Sequence, residues 1–323
     1  MLALIRNETL KLIRRRRFMI VFGIMLSIQV VVAYSQYQEL RELQNANWRA
    51  ELQERIARYE NRLRRGRLNP FWGRSMRAEM NRLQFYLDRG INPEQPTAPL
   101  VVRMFANAAG VLLLPLLIAV LGSDIVSAEN AEGTDKLLLT RPIRRWKILT
   151  AKLVTLWMFA GLTLFVGALL AYLTTAPVLP AGGWDAPTFN GFQIQGDALS
   201  LESVRQLPLW KDALLAYGLE WYALLAVASI SLMLSVIFKS SAASIGTMLA
   251  SLIGGTILTR VSPDWTAGKY LFVSALPLAD YYTGQAPPYE GMSMMFCVAL
   301  LGLWAIGALT VAYALFTQRD VFG

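Results

Sequence analysis

The chain has 323 residues, 55% of them hydrophobic and only 16% charged, with a net charge of +9. The apolar residues gather into long runs, which excludes a soluble domain with one large core and predicts an all-α polytopic membrane protein. Histidine is absent and Cys297 is the single cysteine, so His-based triads, metal sites, intrachain disulfides and thiolate clusters are excluded. The basic surplus is read segment by segment, as membrane topology rather than nucleic-acid binding.

Residues 1–17 predict an interfacial helix on the inner leaflet. Leu2, Ile5, Leu12 and Ile13 share one face, with Glu8 and Lys11 away from it. The first span follows at 18–34. Arg6, Lys11 and Arg14 to Arg17 precede it and place the amino end in the cytoplasm. The run is long and no small-x-small site closes it, so it reads as an uncleaved span rather than a signal peptide. Residues 35–102 predict a large extracytoplasmic helical hairpin. Leu52, Ile56, Tyr59 and Leu63 recur at helical spacing, as do Met76, Met80, Leu83 and Leu87. Gly66 and Leu68-Asn69-Pro70 supply the turn, and Gly90, Asn92 and Pro93 end the second helix. Glu51–Arg55, Glu54–Arg58 and Glu60–Arg64 are i,i+4 pairs in the favourable order. No Gly or Pro falls between Gly23 and Gly66, which predicts one helix over 18–65, roughly 70 Å long. The hairpin's surplus of arginines suits anionic head groups, an acidic substrate or an outer partner; keeping the hairpin solvated explains it equally well.

Five further spans are predicted at 104–126, 148–174, 213–238, 243–258 and 292–316, each near the length of about 20 residues that a bilayer requires. Alternate crossing puts the segment 127–147, Lys239 and Gln318-Arg319-Asp320 on the inside with the amino end, so both termini are cytoplasmic and every short inner segment is basic. The Arg-rich outer hairpin breaks that rule only because it exceeds about 60 residues, where the rule loses force. The outer loop 175–212 is rich in Gly and Pro, carries Trp184, Phe189 and Phe192, and reads as partly extended. The loop 259–291 is aromatic and broken by prolines, and residues 270–279 suit a re-entrant segment. Within the bilayer, Glu220 is the notable charge. It is expected to line a pathway, to pair with Arg103 at the outer mouth of the second span, or to lie at head-group depth, because an unpaired buried carboxylate costs several kcal/mol. Asp124 is expected to anchor the inner interface. Gly161, Gly167, Gly246, Gly254-Gly255 and Gly302 are expected to allow close helix packing.

The segment 129–152, ENAEGTDKLLLTRPIRRWKILTAK, is charged and lies between two apolar runs. Glu129, Glu132 and Asp135 fall in the first turns of a short helix, where carboxylates complement the dipole. Pro142 stops that helix near Arg141, and Arg144, Arg145 and Lys147 follow. Taken alone, this is also what an ordinary basic cytoplasmic loop looks like. In combination with the spans it resembles the loop between the second and third spans of the type-2 ATP-binding-cassette (ABC) permease family. The resemblance rests on Glu129 and Glu132, Gly133-Thr134, Leu137-Leu138-Leu139, Pro142, Arg144 or Arg145, and Lys152. Arg144 stands where Ser is common and Ala151 where Gly is common.

The chain has no Gly-x-x-x-x-Gly-Lys-Ser/Thr phosphate loop; Gly268-Lys269 is followed by Tyr and lacks the upstream Gly. It is therefore not expected to be an enzyme. The resemblance implies the permease subunit of an exporter in the bacterial cytoplasmic membrane, paired as a homodimer or with a similar permease. Two ATPase subunits would bind ATP and Mg and dock on 129–152, and this chain would need no cofactor or metal of its own. A different class of function is a non-transporting membrane scaffold or mechanotransmitter that regulates an extracytoplasmic partner. An ion-coupled carrier is disfavoured by the lack of a clear inverted repeat and by the scarcity of intramembrane charge. Drugs, antimicrobial peptides, lipids and glycans all suit the architecture as substrates.

Overall fold

The computed structural model describes residues 1–14, 19–20, 23–28, 30–31, 34–35, 38, 47–66, 70–93, 95–131, 144–195, 198–200, 204–262 and 265–318. The chain begins with α1, Leu2–Arg14. The hairpin helices are α2, Trp48–Arg64, and α3, Pro70–Arg89. Next come α4, Ala98–Gly110, α5, Leu113–Asp124, and the short α6, Ser127–Ala131. The long α7 covers Arg145–Thr175. Four strands follow: β1, Pro187–Asn190, β2, Gln193–Gln195, β3, Ala198–Ser200, and β4, Arg205–Pro208. The remaining helices are α8, Leu209–Ile237, α9, Ser241–Val261, α10, Leu278–Tyr282, and α11, Met294–Gln318, with two 3-10 turns, Thr266–Tyr270 and Phe272–Ala275, ahead of α10.

α8 is the hub of the bundle and packs against α4, α5, α7, α9, α10 and α11. Its central window is 67% buried, against 22% for α9 and α11. The cause is compositional: Ala213, Ala216, Ala223, Ala226, Ala228, Ser229, Ser231 and Ser235 are all buried, and small side chains let neighbouring backbones approach. Ser229 and Ser231 return their hydroxyls to the Leu225 and Val227 carbonyls, at 2.8 and 2.7 Å, so they enter an apolar environment already satisfied.

Among the described residues, four helices are long and apolar enough to cross a membrane: α7, α8, α9 and α11. A fifth span is broken. α4 and α5 qualify together but are bent by 55° at the break. The predicted span 104–126 is thus two helices, and the reason lies in its residues. Gly110 closes α4, Leu112 leaves helical geometry at φ −145°, and Pro115 has no N–H to return to the Val111 carbonyl. The predicted first span, 18–34, lies partly outside the described residues; 23–28 and 30–31 within it are helical.

Several expectations are corrected. α1 forms, but the face it buries against α7 carries Glu8 and Leu12, whereas Leu2 is 84% exposed and Ile13 is also exposed. Lys152 of α7, beneath the helix, draws Glu8 inward, as described below. The helix predicted over 18–65 is interrupted, because Asn47 is extended and its side chain caps α2 by accepting from the Arg49 N–H at 3.1 Å. The fold is mostly helical, consistent with an all-α membrane protein, and its 175–212 loop adds short strands. In the 175–212 loop β1 pairs antiparallel with β4, from Pro187 opposite Pro208 to Asn190 opposite Arg205, and β2 pairs with β3. β4 runs directly into α8, and the Leu209 and Trp210 N–H groups bond the Ala186 and Trp184 carbonyls at 2.9 Å each. Gly167 and Gly255 lie against Phe105 and Val273, but a Cβ added at Gly246 or Gly254 would meet no other side chain or helix within 4 Å among the described residues.

In the hairpin α2 packs on α3. α3 also docks on the ribbon through Phe85 and Tyr86. Phe85, Tyr86, Phe189 and Phe192 form a separate small core, with the Phe85 and Phe189 rings edge to face at 5.2 Å and the Arg89 guanidinium over both. The hairpin and the ribbon form a cap at one end of the bundle; α1 lies at the other.

Candidate functional site

At the α1 end, four charges from three parts of the chain close a ring. Lys152 of α7 places its ammonium 2.8 Å from Glu8 of α1 and 2.8 Å from Glu129 of α6. Lys11 reaches the same two carboxylates, at 3.1 and 2.8 Å. The Lys152 side chain is 1% exposed, and its remaining donor is taken by the Ile125 carbonyl at 3.1 Å. All three ammonium protons are therefore used, so this buried lysine has no orphaned donor. The Ile125 carbonyl is free to accept because α5 ends at Asp124 and the chain turns before α6. Ser235 of α8 fills the complementary need: its Oγ accepts from the Val126 and Ser127 N–H groups at 2.9 Å each, satisfying donors at the start of α6. For Lys11, burial lowers the ammonium pKa, but hydrogen bonds and charge from Glu129, then Glu8, outweigh it and leave the group above the ordinary lysine range.

Glu129 and Lys152 were singled out in the sequence, and the fold brings them together. Arg144 caps the start of α7 without a side-chain cap bond, and Arg145 reaches the Thr317 carbonyl near the end of α11 at 3.2 Å. Glu132, Gly133, Thr134, Leu137, Leu138 and Pro142 lie outside the described residues. Glu8 and Lys11 are the ring members the sequence reading passed over. Their signal was present, because Glu8 is the first acid of the chain and the next is Glu39. A lone carboxylate among that many basic residues is a natural partner for a buried lysine. Nearby, Asp124 accepts from the Ser241 hydroxyl and ties the end of α5 to the start of α9.

A second polar network lies towards the cap. Arg103 of α4 donates to Asp212 of α8 at 2.6 Å, and both side chains are 5% exposed. Asp212 also accepts from Asn190 of β1. Arg103 reaches Asn107 as well, and Asn107 bonds Asp280 of α10. The expected pairing of Arg103 with Glu220 is thus replaced by Arg103 with Asp212. Asp212 escaped notice because the predicted fourth span began one residue after it, whereas α8 starts at Leu209. Glu220 is 1% exposed, and its Oε1 has no hydrogen-bond partner among the described residues. It lies beyond the third turn of α8, deeper than expected, against Gly110 at the break of the bent span. Among the described residues no cluster of three His, Cys, Asp or Glu side chains could hold a metal ion.

The family model described as ABC-2 family transporter protein matches residues 2–321. The chain is 25% identical over 322 residues to the uncharacterized protein YhcI of Bacillus subtilis (strain 168), covering 99% of both chains. It is also 26% identical over 214 residues to the uncharacterized membrane protein YdbK of the same organism, covering 65% of this chain and 78% of that one.

Proposed function

The chain belongs to the ABC-2 family of transporter proteins and is a multi-pass membrane component of that kind; from this premise we infer that it is the permease subunit of an exporter driven by separate ATPase subunits. The observation that carries this reading is the buried ring of Glu8, Lys11, Glu129 and Lys152. Glu129 and Lys152 flank the family-like segment on its two sides, and Glu8 and Lys11 fasten both to α1. A displacement applied between them is delivered together to α1, to α6 with α5 behind it, and to α7. In this reading the α1 end faces the cytoplasm and both termini are cytoplasmic. Two permease copies, identical or similar, form the membrane unit. Two ATPase subunits supply ATP and Mg and press on 129–152, and closure of the ATPases rocks the spans so that a central cavity opens outward by alternating access.

The test is capture and coupling. Cysteines at Thr134 and Thr140, in a Cys297→Ser background, are expected to cross-link to an ATPase subunit in native membranes. Glu132→Lys is expected to leave insertion and ATP hydrolysis intact while lowering export. If neither cysteine captures an ATPase and Glu132→Lys leaves function unchanged, the coupling role is wrong.

One observation favours a second reading, a mechanotransmitter that acts on an extracytoplasmic partner. Asp212 bonds both Asn190 of the ribbon and Arg103 of α4, so motion of the spans is tied to the cap. ATP-dependent change in cap accessibility without movement of any substrate would favour this reading over export.

A further inference from the structure

We propose that Glu220 and the break between α4 and α5 form a site for a single monovalent cation, either a proton or an alkali-metal ion. The proposal goes beyond the coupling reading and stands without it, because it concerns the opposite half of the bundle.

Three observations converge there. Glu220 is 1% exposed in the interior of a candidate span, and its Oε1 has no partner among the described residues. Its carboxylate is pressed against Gly110, where an added Cβ would collide with the carboxyl carbon and both oxygens. Gly110 ends α4, and beyond it Pro115 offers no N–H to the Val111 carbonyl. The carboxylate therefore sits beside the last residue of a half-helix, and the terminal carbonyls of such an end lack helical donors. A carboxylate and such carbonyl oxygens together are ligands for a proton or an alkali ion, and a helix broken within a bilayer is where those ligands become available.

The charge that acts on Glu220 has the same sign. Asp280 of α10 adds negative potential at Glu220. The cation nearest in the network, Arg103 of α4, is committed to Asp212 and Asn107. Arg82 of α3, which acts on Asp280, is paired with Glu79 at 2.8 Å, and Tyr217 and Asp212 on α8, Tyr281 on α10 and Cys297 on α11 supply no positive charge. One positive charge would remove the several kcal/mol that an isolated carboxylate costs at this depth. A divalent ion is disfavoured, because no three acidic, His or Cys side chains converge here or elsewhere among the described residues.

The test uses the full-length chain in phosphatidylethanolamine–phosphatidylglycerol nanodiscs. Thermal unfolding is followed at about pH 8, where an ordinary glutamate is ionised, in sodium, potassium or lithium chloride against choline chloride at equal ionic strength. Infrared spectra of the same samples read the protonated-carboxyl band. A midpoint that rises and saturates with one alkali ion, and does not in Glu220→Gln, assigns an alkali ion. A protonated-carboxyl band that disappears in Glu220→Gln, with no alkali response, assigns a proton. Gly110→Ala keeps the carboxyl group but displaces it from the break; it is expected to raise the half-saturating alkali concentration about tenfold or to shift the carboxyl band. If Glu220→Gln does not fold, Gly110→Ala carries the test by itself. A wild-type protein with neither an alkali response nor a band that these substitutions alter overturns the proposal.

Discussion

Lys152 shows how a single residue can be legible in the sequence while its environment is not. A lysine just inside an apolar run must find a carboxylate or reach water, and the sequence shows the need without showing which carboxylate meets it. That Glu8 would arrive from the far amino-terminal end depends on α1 lying across α7, which no local pattern encodes. Lys152→Met leaves two buried carboxylates sharing the half-exposed Lys11 as the ring's remaining cation, and the expected loss is about 3 kcal/mol of unfolding free energy. Adding Glu8→Gln removes one of those charges and is expected to recover part of the loss, a comparison that a double-mutant cycle of chemical unfolding measures directly. An additive pair of substitutions would show that the two residues do not act as one unit. Asp280 offers a pH-dependent counterpart. Burial raises its pKa from 3.8 to about 6, with Arg103 and Arg82 pulling against the shift. A folded-state pKa above the unfolded value means that the associated stability is complete below about pH 4 and is lost as pH rises through 6. Wild type is therefore expected to fall relative to Asp280→Asn as pH rises from 4 to 7, on the order of 2–3 kcal/mol. Parallel pH profiles of the two proteins would contradict this.

At the scale of elements, the third, fourth, fifth and sixth predicted spans correspond to single helices, because uninterrupted apolar runs have few alternatives in a membrane. The second did not, although Gly110 and Pro115 were both visible as breakers. Its apolar length dominated the reading, and a run of that length does not reveal whether one helix or two half-helices cover it. Glycines likewise divide only once neighbours are known. Gly167 lies against Phe105 of α4 and the Met25 side chain, whereas Gly254 faces open space among the described residues. Gly167→Val is expected to cost about 1–3 kcal/mol by overpacking, and Gly254→Val to leave the thermal midpoint of the isolated chain nearly unchanged. Equal effects at the two positions would show that small size, not contact, decides both.

For the whole molecule, the cap joins segments far apart in sequence. α3 comes before the bundle's long helices and the ribbon falls between two of them, yet Phe85, Tyr86, Phe189 and Phe192 make one core. Phe85→Ala is expected to remove about 3–5 kcal/mol from that core while leaving α7, α8 and α11 intact. Hydrogen exchange would then rise across α3 and β1 and stay low in the spans. Loss of protection throughout would mean that cap and bundle fold as one cooperative unit.

The sequence by itself determined the helical membrane class, the positions of the long apolar helices and the segment that resembles the family's coupling loop. These follow from period, length and charge, properties that neighbouring residues share and that hydrocarbon enforces locally. The tertiary structure decided which charges meet. Glu8 with Lys152, Arg103 with Asp212, and the solitary Glu220 against Gly110 are each set by which helices cross and where. A buried charge states only that it needs a partner. The partner's identity, or the lack of one, is settled by packing across the bundle.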